Sequence, residues 1–143
     1  FYPGETVLSE EGINLLKSEF KKEKFGDVKE LIIEGHTDDK EFFEFPEISK
    51  KYKNNTELSA ARAISVVEII EKILHLSGEN IGIRAYGSNR PLKPNTTDLN
   101  RALNRRVVIQ IITEAEEKKI FTGNTTSQPK NNQSKDIKNL KNT

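Results

Sequence analysis

The chain is organised around two short stretches, LIIEGHTDD at residues 31–39 and NTELSAARA at residues 55–63. The first is an apolar run that predicts a strand, ends on Gly35 and places Asp38 at the end of that strand. The second opens a helix after a cluster of Asn and Thr and carries Arg62 in about its second turn. Because a βα unit can bring the ends of its elements together, we expect a carboxylate and a guanidinium to meet there. Binding of a small zwitterion would require such a pair.

The composition favours one domain of balanced charge. The 143 residues include 23 basic and 22 acidic side chains, so the chain lacks the broad cationic excess of nucleic-acid-binding domains. Without Cys and with two His, it offers no thiol nucleophile, and we expect no metal and no cofactor. No apolar run approaches the roughly 20 residues that span a bilayer. The sequence starts at Phe1 without Met, so we expect a piece of a longer protein whose membrane attachment lies outside this chain.

Apolar periodicity predicts alternating helices and strands. A period of 3.6 residues indicates helices, and short apolar runs between turn residues indicate strands. The order β-α-β-α-β-α-β predicts an α/β fold, an α+β sandwich with the helices packed on one mixed sheet. We expect its first strand to come from about Phe1 and residues before it, and so to be truncated here. The other predicted strands cover 28–35, 81–86 and 107–112, and the helices cover 10–24, 56–76 and 98–103.

The last part of the chain has a different composition. From Glu114 the apolar pattern fades, and residues 121–143 are rich in Asn, Lys, Thr, Ser and Gln. Such a segment cannot bury enough apolar surface to offset the conformational entropy lost on ordering. We therefore predict a domain at residues 1–113 and a polar, disordered tail at residues 114–143.

A long segment without clear periodicity, residues 39–54, separates Asp38 from the second predicted helix. Loops of this length in a compact domain are usually functional. Four aromatic side chains in it could anchor a partner or could pack on the domain, and both interpretations stay open: Phe42, Phe43, Phe45 and Tyr52.

Four motifs follow one another in the chain: GHTD at 35–38, NxxLSxxRAxxV at 55–66, GxxxP at 87–91 and NRRV at 104–107. Together, over about residues 1–113, they resemble the peptidoglycan-binding OmpA-like family, which includes OmpA, the Pal lipoproteins and the stator protein MotB. The long gap between the first two motifs looks more like the MotB-like branch than like Pal. Thr56 stands where that branch often has Trp.

The resemblance implies binding, without catalysis, of the diaminopimelate residue in the peptidoglycan stem peptide. Asp38 would take the ammonium of diaminopimelate, and Arg62 would take its carboxylate through charge-assisted hydrogen bonds. A lysine residue in the same place lacks the carboxylate and would leave Arg62 unpaired. Four further positions match residues that line, shape or adjoin the pocket in the family: Thr37, Asn55, Leu58 and Arg105.

The resemblance also implies a cellular setting. The domain would anchor a larger envelope protein to the cell wall in the periplasm, and upstream sequence would tether that protein to the inner or outer membrane. An alternative within the family is a MotB-like stator domain, which would form a homodimer beside a flagellar or related ion-driven motor.

Hypotheses from other functional classes also remain open. Taken alone, Asp38 would more often cap a loop or helix, and Arg62 would more often form a surface salt bridge. A small hydrolase would use His36 and Asp38 as acid–base residues, although no Ser or Cys nucleophile lies near them in the chain. A nucleic-acid module would bind with a steep salt dependence. It would use five arginines: Arg84, Arg90, Arg101, Arg105 and Arg106.

Overall fold

The computed structural model describes residues 1–22, 28–75, 78–113 and 117–121. No helix within these ranges is both long and apolar enough to cross a membrane. The elements, in chain order, are α1 (Glu10–Lys22), β1 (Val28–Gly35), α2 (Glu41–Glu44), α3 (Pro46–Lys51), α4 (Asn55–Leu74), a 3-10 turn (Gly78–Asn80), β2 (Ile81–Ala85), α5 (Asp98–Asn104), β3 (Val107–Thr113) and β4 (Glu117–Phe121).

Side-chain caps explain where three of the helices begin. The Oγ of Ser9 accepts the N–H of Gly12 at 3.2 Å before α1. The Oδ1 of Asn54 accepts the N–H of Glu57 at 2.9 Å before α4, and Thr97 caps α5 in the same way. Each cap satisfies one of the N–H groups that a helix start leaves without an intrahelical partner.

The four strands form one mixed sheet in the order β2-β1-β3-β4. β1 is parallel to β2 and antiparallel to β3, and β3 is antiparallel to β4. The parallel pair β1 and β2 is joined by a crossover that contains α4, as parallel strands require. A mixed sheet with packed helices confirms the predicted fold class.

The core lies between one face of this sheet and helices α1 and α4. Leu31 and Ile33 point to the same side of β1 because side chains alternate along a strand, and Ile33 lies beside Ile109 of β3. Each of these side chains is fully buried, which stabilises the fold by about 1.5–3 kcal/mol per side chain. The helices contribute residues at helical spacing: Leu16, Phe20, Ala63, Val66 and Ile70.

The N-terminal segment differs from the expected first strand. Residues 1–9 form no strand in the structure. The backbone turns at Gly4, where φ is +75°, and Glu5 donates its N–H to the carbonyl of Tyr2. The side chain of Phe1 is buried in the core. The turn and the burial of this ring leave no extended run that could pair with the sheet.

The fourth strand comes from residues that composition assigned to the tail. β4 pairs antiparallel with β3 and places Ile120 beside Ile109. An open sheet edge pairs through its backbone groups, so a polar segment can add a strand there. The predicted tail at 114–143 is therefore corrected at residues 117–121. Residues 114–116 and 122–143 lie outside the described residues, and the prediction of disorder there stays a prediction.

The segment 39–54 contains two short helices in place of the expected irregular loop. Pro46 stands at the start of α3, where its missing N–H is not needed. Ile48 of α3 is buried. Packing accounts for most of the aromatic side chains of this segment, since Phe43 is 77% exposed whereas the others are half-buried: Phe42, Phe45 and Tyr52.

Gly35 lets the end of β1 touch helix α4. A Cβ at this position would lie 1.9 Å from the carbonyl oxygen of Ser59, which no side chain can accommodate. The hydroxyl of Ser59 in turn accepts the N–H of Gly87 at 3.0 Å. Asp38 and Arg62 each follow this contact by three positions, so the contact sets their relative placement.

We expect Gly35→Ala to lower the free energy of unfolding by about 2–4 kcal/mol, because the added methyl group must push α4 away from the sheet. Urea denaturation followed by circular dichroism measures this loss. Gly82→Ala is the matched control in the neighbouring strand, since its Cβ would meet nothing closer than 3.6 Å. Equal stability of the two variants would contradict the close contact.

Candidate ligand-binding site

The residues after β1 are held by backbone from two distant motifs. His36 donates its N–H to the carbonyl of Arg106 at 3.0 Å, and Thr37 donates its N–H to the carbonyl of Gly87 at 2.9 Å. The hydroxyl of Thr37 donates to the carbonyl of Asp38 at 3.0 Å. The GHTD, GxxxP and NRRV motifs therefore meet at one end of the sheet.

Asp38 is 2% exposed and uses both carboxylate oxygens within the chain. Its Oδ1 accepts the N–H groups of Lys40 at 2.8 Å and Glu41 at 2.7 Å, which holds the start of α2. Its Oδ2 accepts Nη1 of Arg105 at 2.8 Å. Arg105 is itself buried, and its Nε donates to the carbonyl of Phe1. Asp38 thus combines a capping role with a buried ion pair.

Arg62 is fully buried on α4. Its Nη1 and Nη2 donate to Oε1 and Oε2 of Glu41, both at 2.6 Å, in a bidentate ion pair. Its Nε donates to the carbonyl of Glu5 at 2.9 Å. The ring of Phe1 lies 5.0 Å from the guanidinium carbon, within the range of a cation–π contact. The charge of Arg62 is therefore neutralised inside the chain.

Glu41 is the site residue that the sequence analysis missed. It is 1% exposed, and its carboxylate also accepts the N–H groups of Gly4 at 3.1 Å and Asp38 at 3.3 Å. The hydrogen bonds between Asp38 and Glu41 run in both directions, as in a capping box. The D-x-x-E spacing was the available signal in the sequence. Its pairing with Arg62 was not readable, because the two residues lie 21 positions apart.

The structure brings the charged residues predicted for the site together, but not as an open pair. Asp38 is bonded to Arg105, Arg62 is bonded to Glu41, and Asp38 and Glu41 are bonded to each other. Asp38 and Arg62 are therefore not bonded to each other in the free protein, and their joint role in binding a ligand stays a prediction. A buried guanidinium without a partner carries a large desolvation penalty, and the ion pair with Glu41 offsets that penalty in the free protein.

The uncharged residues predicted for the pocket do not lie together: two are buried behind the backbone and one lines a separate cavity. Thr37 and Leu58 are buried, at 1% and 0% exposure, and can act only by positioning the backbone. Asn55 is half-buried, and its Oδ1 has no hydrogen-bond partner in the described part of the chain. It lines a separate cavity of about 420 Å³ together with Phe42 and Phe43.

A cavity of about 320 Å³ lies beside Asp38. Both signs of charge face this one volume, which suits a zwitterionic ligand. The described residues that line this cavity include Glu41 but not Arg62, which was expected there. The charged lining residues are the carboxylates Asp38, Glu41, Glu44 and Asp98 and the cations Lys40, Arg101 and Arg105.

His36 is buried and stacks on Tyr86, with 5.5 Å between the ring centroids. Neither of its ring nitrogens has a hydrogen-bond partner among the described residues. Burial, and then the positive charges of Arg106 and Arg90, lower the pKa of His36 to about 3. The imidazole is therefore neutral at pH 7, and it lacks the hydrogen bond to Asp38 on which the hydrolase reading depends.

The arginines of the nucleic-acid reading are mostly engaged within the chain. Arg105 and Arg106 are buried, and burial lowers the pKa of Arg106 to about 10. Arg84 and Arg101 each form an ion pair with a carboxylate. Four of the five arginines are thus buried or paired, which does not favour contact with a phosphate backbone.

Comparison with known proteins finds related sequences. The OmpA family matches residues 1–105. Motility protein B of Bacillus subtilis is 26% identical over 112 residues, which cover 78% of this chain and 41% of that protein. The chain spans less than half the length of the curated relatives that it matches.

Solved structures share the fold. A putative MotB-like protein from Desulfovibrio vulgaris is 29% identical, with a TM-score of 0.59 over 79% of this chain and 69% of that chain. The cell wall anchor of the T6SS from Pseudomonas aeruginosa is 24% identical, with a TM-score of 0.60 over 80% of this chain and 75% of that chain. The latter similarity concerns the fold alone.

Acid should destabilise the domain through His36. Its pKa is about 3 in the folded protein against 6.5 for an ordinary histidine, so unfolding takes up a proton between these values. The stabilisation is complete above about pH 6.5 and is lost progressively as the pH falls towards 3. By pH 5 this loss amounts to about 2 kcal/mol.

We expect His36→Phe, which keeps a ring against Tyr86 but cannot titrate, to remove this part of the pH dependence. The free energy of unfolding in urea at pH 7 and at pH 5 measures the effect. His75→Asn, at the exposed end of α4, is the control and should lose as much stability as the wild type. The assignment fails if His36→Phe also loses as much stability between the two pH values as the wild type.

Proposed function

The chain belongs to the OmpA family, and from this premise we propose that it binds peptidoglycan, without catalysis, through the diaminopimelate residue of the stem peptide. The observation that carries the proposal is the cavity of about 320 Å³ beside Asp38, where carboxylates and cations face one volume. The free end of the diaminopimelate side chain carries one ammonium and one carboxylate. A cavity of mixed charge can hold both groups by charge-assisted hydrogen bonds.

Asp38 is the proposed acceptor for the ammonium, because it lies in the cavity wall and its position is held by α2 and Arg105. Arg62 is the proposed partner of the ligand carboxylate, since a planar guanidinium can hold both carboxylate oxygens at once. Arg105 supplies a cation at the cavity wall itself, together with Lys40 and Arg101. The supporting positions Thr37 and Leu58 would keep this backbone in place from behind.

Selectivity follows from the two charges. Lysine, the third residue in other stem peptides, has an ammonium but no second carboxylate, so it cannot satisfy the cationic side of the cavity. A site that is built to hydrogen-bond a polar group discriminates strongly against an analogue without that group. We therefore expect diaminopimelate-type peptidoglycan to bind more tightly than lysine-type peptidoglycan.

In the cell, the proposed role is anchorage. The domain would hold a larger envelope protein to the cell wall in the periplasm, with membrane attachment through sequence outside this chain. Because the chain spans less than half of its curated relatives, the activity of the whole protein would reside partly in other segments.

A second candidate is a stator anchor of the MotB type, which would act as a homodimer. The similarity to Motility protein B of Bacillus subtilis and to the MotB-like structure from Desulfovibrio vulgaris favours it. A membrane-spanning helix with a carboxylate in the full-length sequence would support this candidate. An outer-membrane barrel or a lipoprotein signal in that place would contradict it.

The variant Asp38→Asn tests the proposed site. Its amide oxygen can still accept the N–H groups of Lys40 and Glu41, but its NH2 group then faces Nη1 of Arg105 and that ion pair is lost, so circular dichroism must first show that the variant folds. We expect binding to purified sacculi of the diaminopimelate type to weaken by about 2–5 kcal/mol, the range for removing one member of a buried charge pair. Cosedimentation over a series of protein concentrations measures the affinity.

The matched control is Arg84→Ala, which removes a half-exposed charge on β2 that does not line the cavity. It should bind as the wild type does. Wild-type affinity in Asp38→Asn would refute the proposed site, and no wild-type binding to sacculi would refute the proposed function.

A further inference from the structure

The carboxylate of Glu41 is paired with Arg62, the side chain that the carboxylate of the proposed ligand would bind. The inference drawn from this rests on the proposed function and concerns how the same site selects its ligand. The carboxylate of Glu41 holds both outer nitrogens of Arg62 at 2.6 Å, in the bidentate geometry that a ligand carboxylate would adopt. Arg62 is fully buried in this pair. A ligand carboxylate must therefore replace Glu41 before it can bind Arg62.

The position of Glu41 makes this replacement feasible. Glu41 lines the cavity, whereas Arg62 is bonded to Glu41 and does not line the cavity. Glu41 belongs to α2, a helix of four residues. Apart from Arg62, its carboxylate is held by the N–H groups of Gly4 at 3.1 Å and Asp38 at 3.3 Å. A change of side-chain rotamer would bring this carboxylate into the cavity while β1 and α4 stay in place.

Charge balance decides which ligands can drive the exchange. When Arg62 passes from one carboxylate to another, the guanidinium stays paired, so the exchange costs the desolvation of the ligand carboxylate but leaves no unpaired charge on Arg62. The released carboxylate of Glu41 would then share the cavity with Asp38, Glu44 and Asp98. Like charges in one small volume repel each other. The cations Arg105 and Arg101 of the same wall are already paired, with Asp38 and with Asp39. Release of Glu41 is therefore favoured when a further cation arrives with the ligand.

We propose that Glu41 is a specificity-determining residue, which releases Arg62 to a ligand carboxylate only when the same ligand brings an ammonium for Glu41 and Asp38. A ligand with a carboxylate alone adds a negative charge to the site and brings no cation for the released Glu41. A ligand with an ammonium alone offers nothing to replace Glu41 on Arg62. The site thus requires both charges at one end of the ligand, as diaminopimelate provides them.

Three synthetic stem tripeptides that differ only in the third residue separate these cases. They carry meso-diaminopimelate, 2-aminopimelate without the distal ammonium, or lysine without the distal carboxylate. By calorimetric titration, the wild type should bind the diaminopimelate peptide at least about tenfold more tightly than either analogue. In Glu41→Gln no carboxylate is released, so affinity for the 2-aminopimelate peptide should rise about tenfold. Affinity for the lysine peptide should not rise.

Glu47→Gln is the matched control, because it removes the same charge from the neighbouring short helix α3, does not line the cavity and leaves the pair of Glu41 and Arg62 in place. It should leave the ratio of the diaminopimelate and 2-aminopimelate affinities within about twofold of the wild-type ratio. An equal gain for the 2-aminopimelate peptide in both variants would mean a general effect of net charge and would overturn the inference.

Loss of one partner from a buried pair can prevent folding, so a second measurement uses the wild type. The side-chain carboxylate of Glu41 and the guanidinium of Arg62 are followed by NMR as the diaminopimelate peptide is added. The inference predicts that both signals shift with saturation and that the hydrogen bonds between Glu41 and Arg62 are lost. A pair that persists at saturation overturns it.

The two proposals fail in different ways. If the wild type does not bind the diaminopimelate peptide, the proposed function is refuted and this inference falls with it. If the wild type binds that peptide and Glu41→Gln keeps the wild-type selectivity, this inference alone is refuted.

Discussion

The buried ion pair between Arg62 and Glu41 is the interaction on which this domain depends. The burial of a charged guanidinium at 0% exposure is tolerated only when carboxylate and carbonyl oxygens accept its hydrogen bonds. Here it draws together four parts of the chain: Glu5 in the N-terminal segment, His36 after β1, Glu41 on α2 and its own helix α4. Loss of either partner would leave a buried charge behind, at about 3–5 kcal/mol.

That magnitude is a large share of the roughly 5–15 kcal/mol by which a domain is stable, so the pair cannot simply open to admit a ligand. An exchange of partners avoids the penalty, because Arg62 stays paired throughout. The same reasoning applies to Asp38, whose charge is held by Arg105 at 2.8 Å. A site that keeps its charges as internal pairs is stable without ligand and can still recognise a ligand that carries both charges.

The motif residues that suggested a binding site also hold the fold together. Asp38 caps α2, and Arg105 donates to the carbonyl of Phe1. Gly35 provides the close contact with α4 that places the two charged residues near each other. In the proposed site, stability and recognition would share the same atoms, so a variant is informative only if it preserves one role while it removes the other.

The sequence by itself determined the family motifs and the positions of most strands and helices. These features depend on periodicity, caps and turn residues, which act over a few neighbouring positions. The tertiary structure alone decided that Glu41 is paired with Arg62, that residues 117–121 add a strand, and that the segment 39–54 contains two short helices. Ion pairing and edge pairing depend on which groups the folded chain brings within a few ångströms, and separation along the sequence does not reveal that distance.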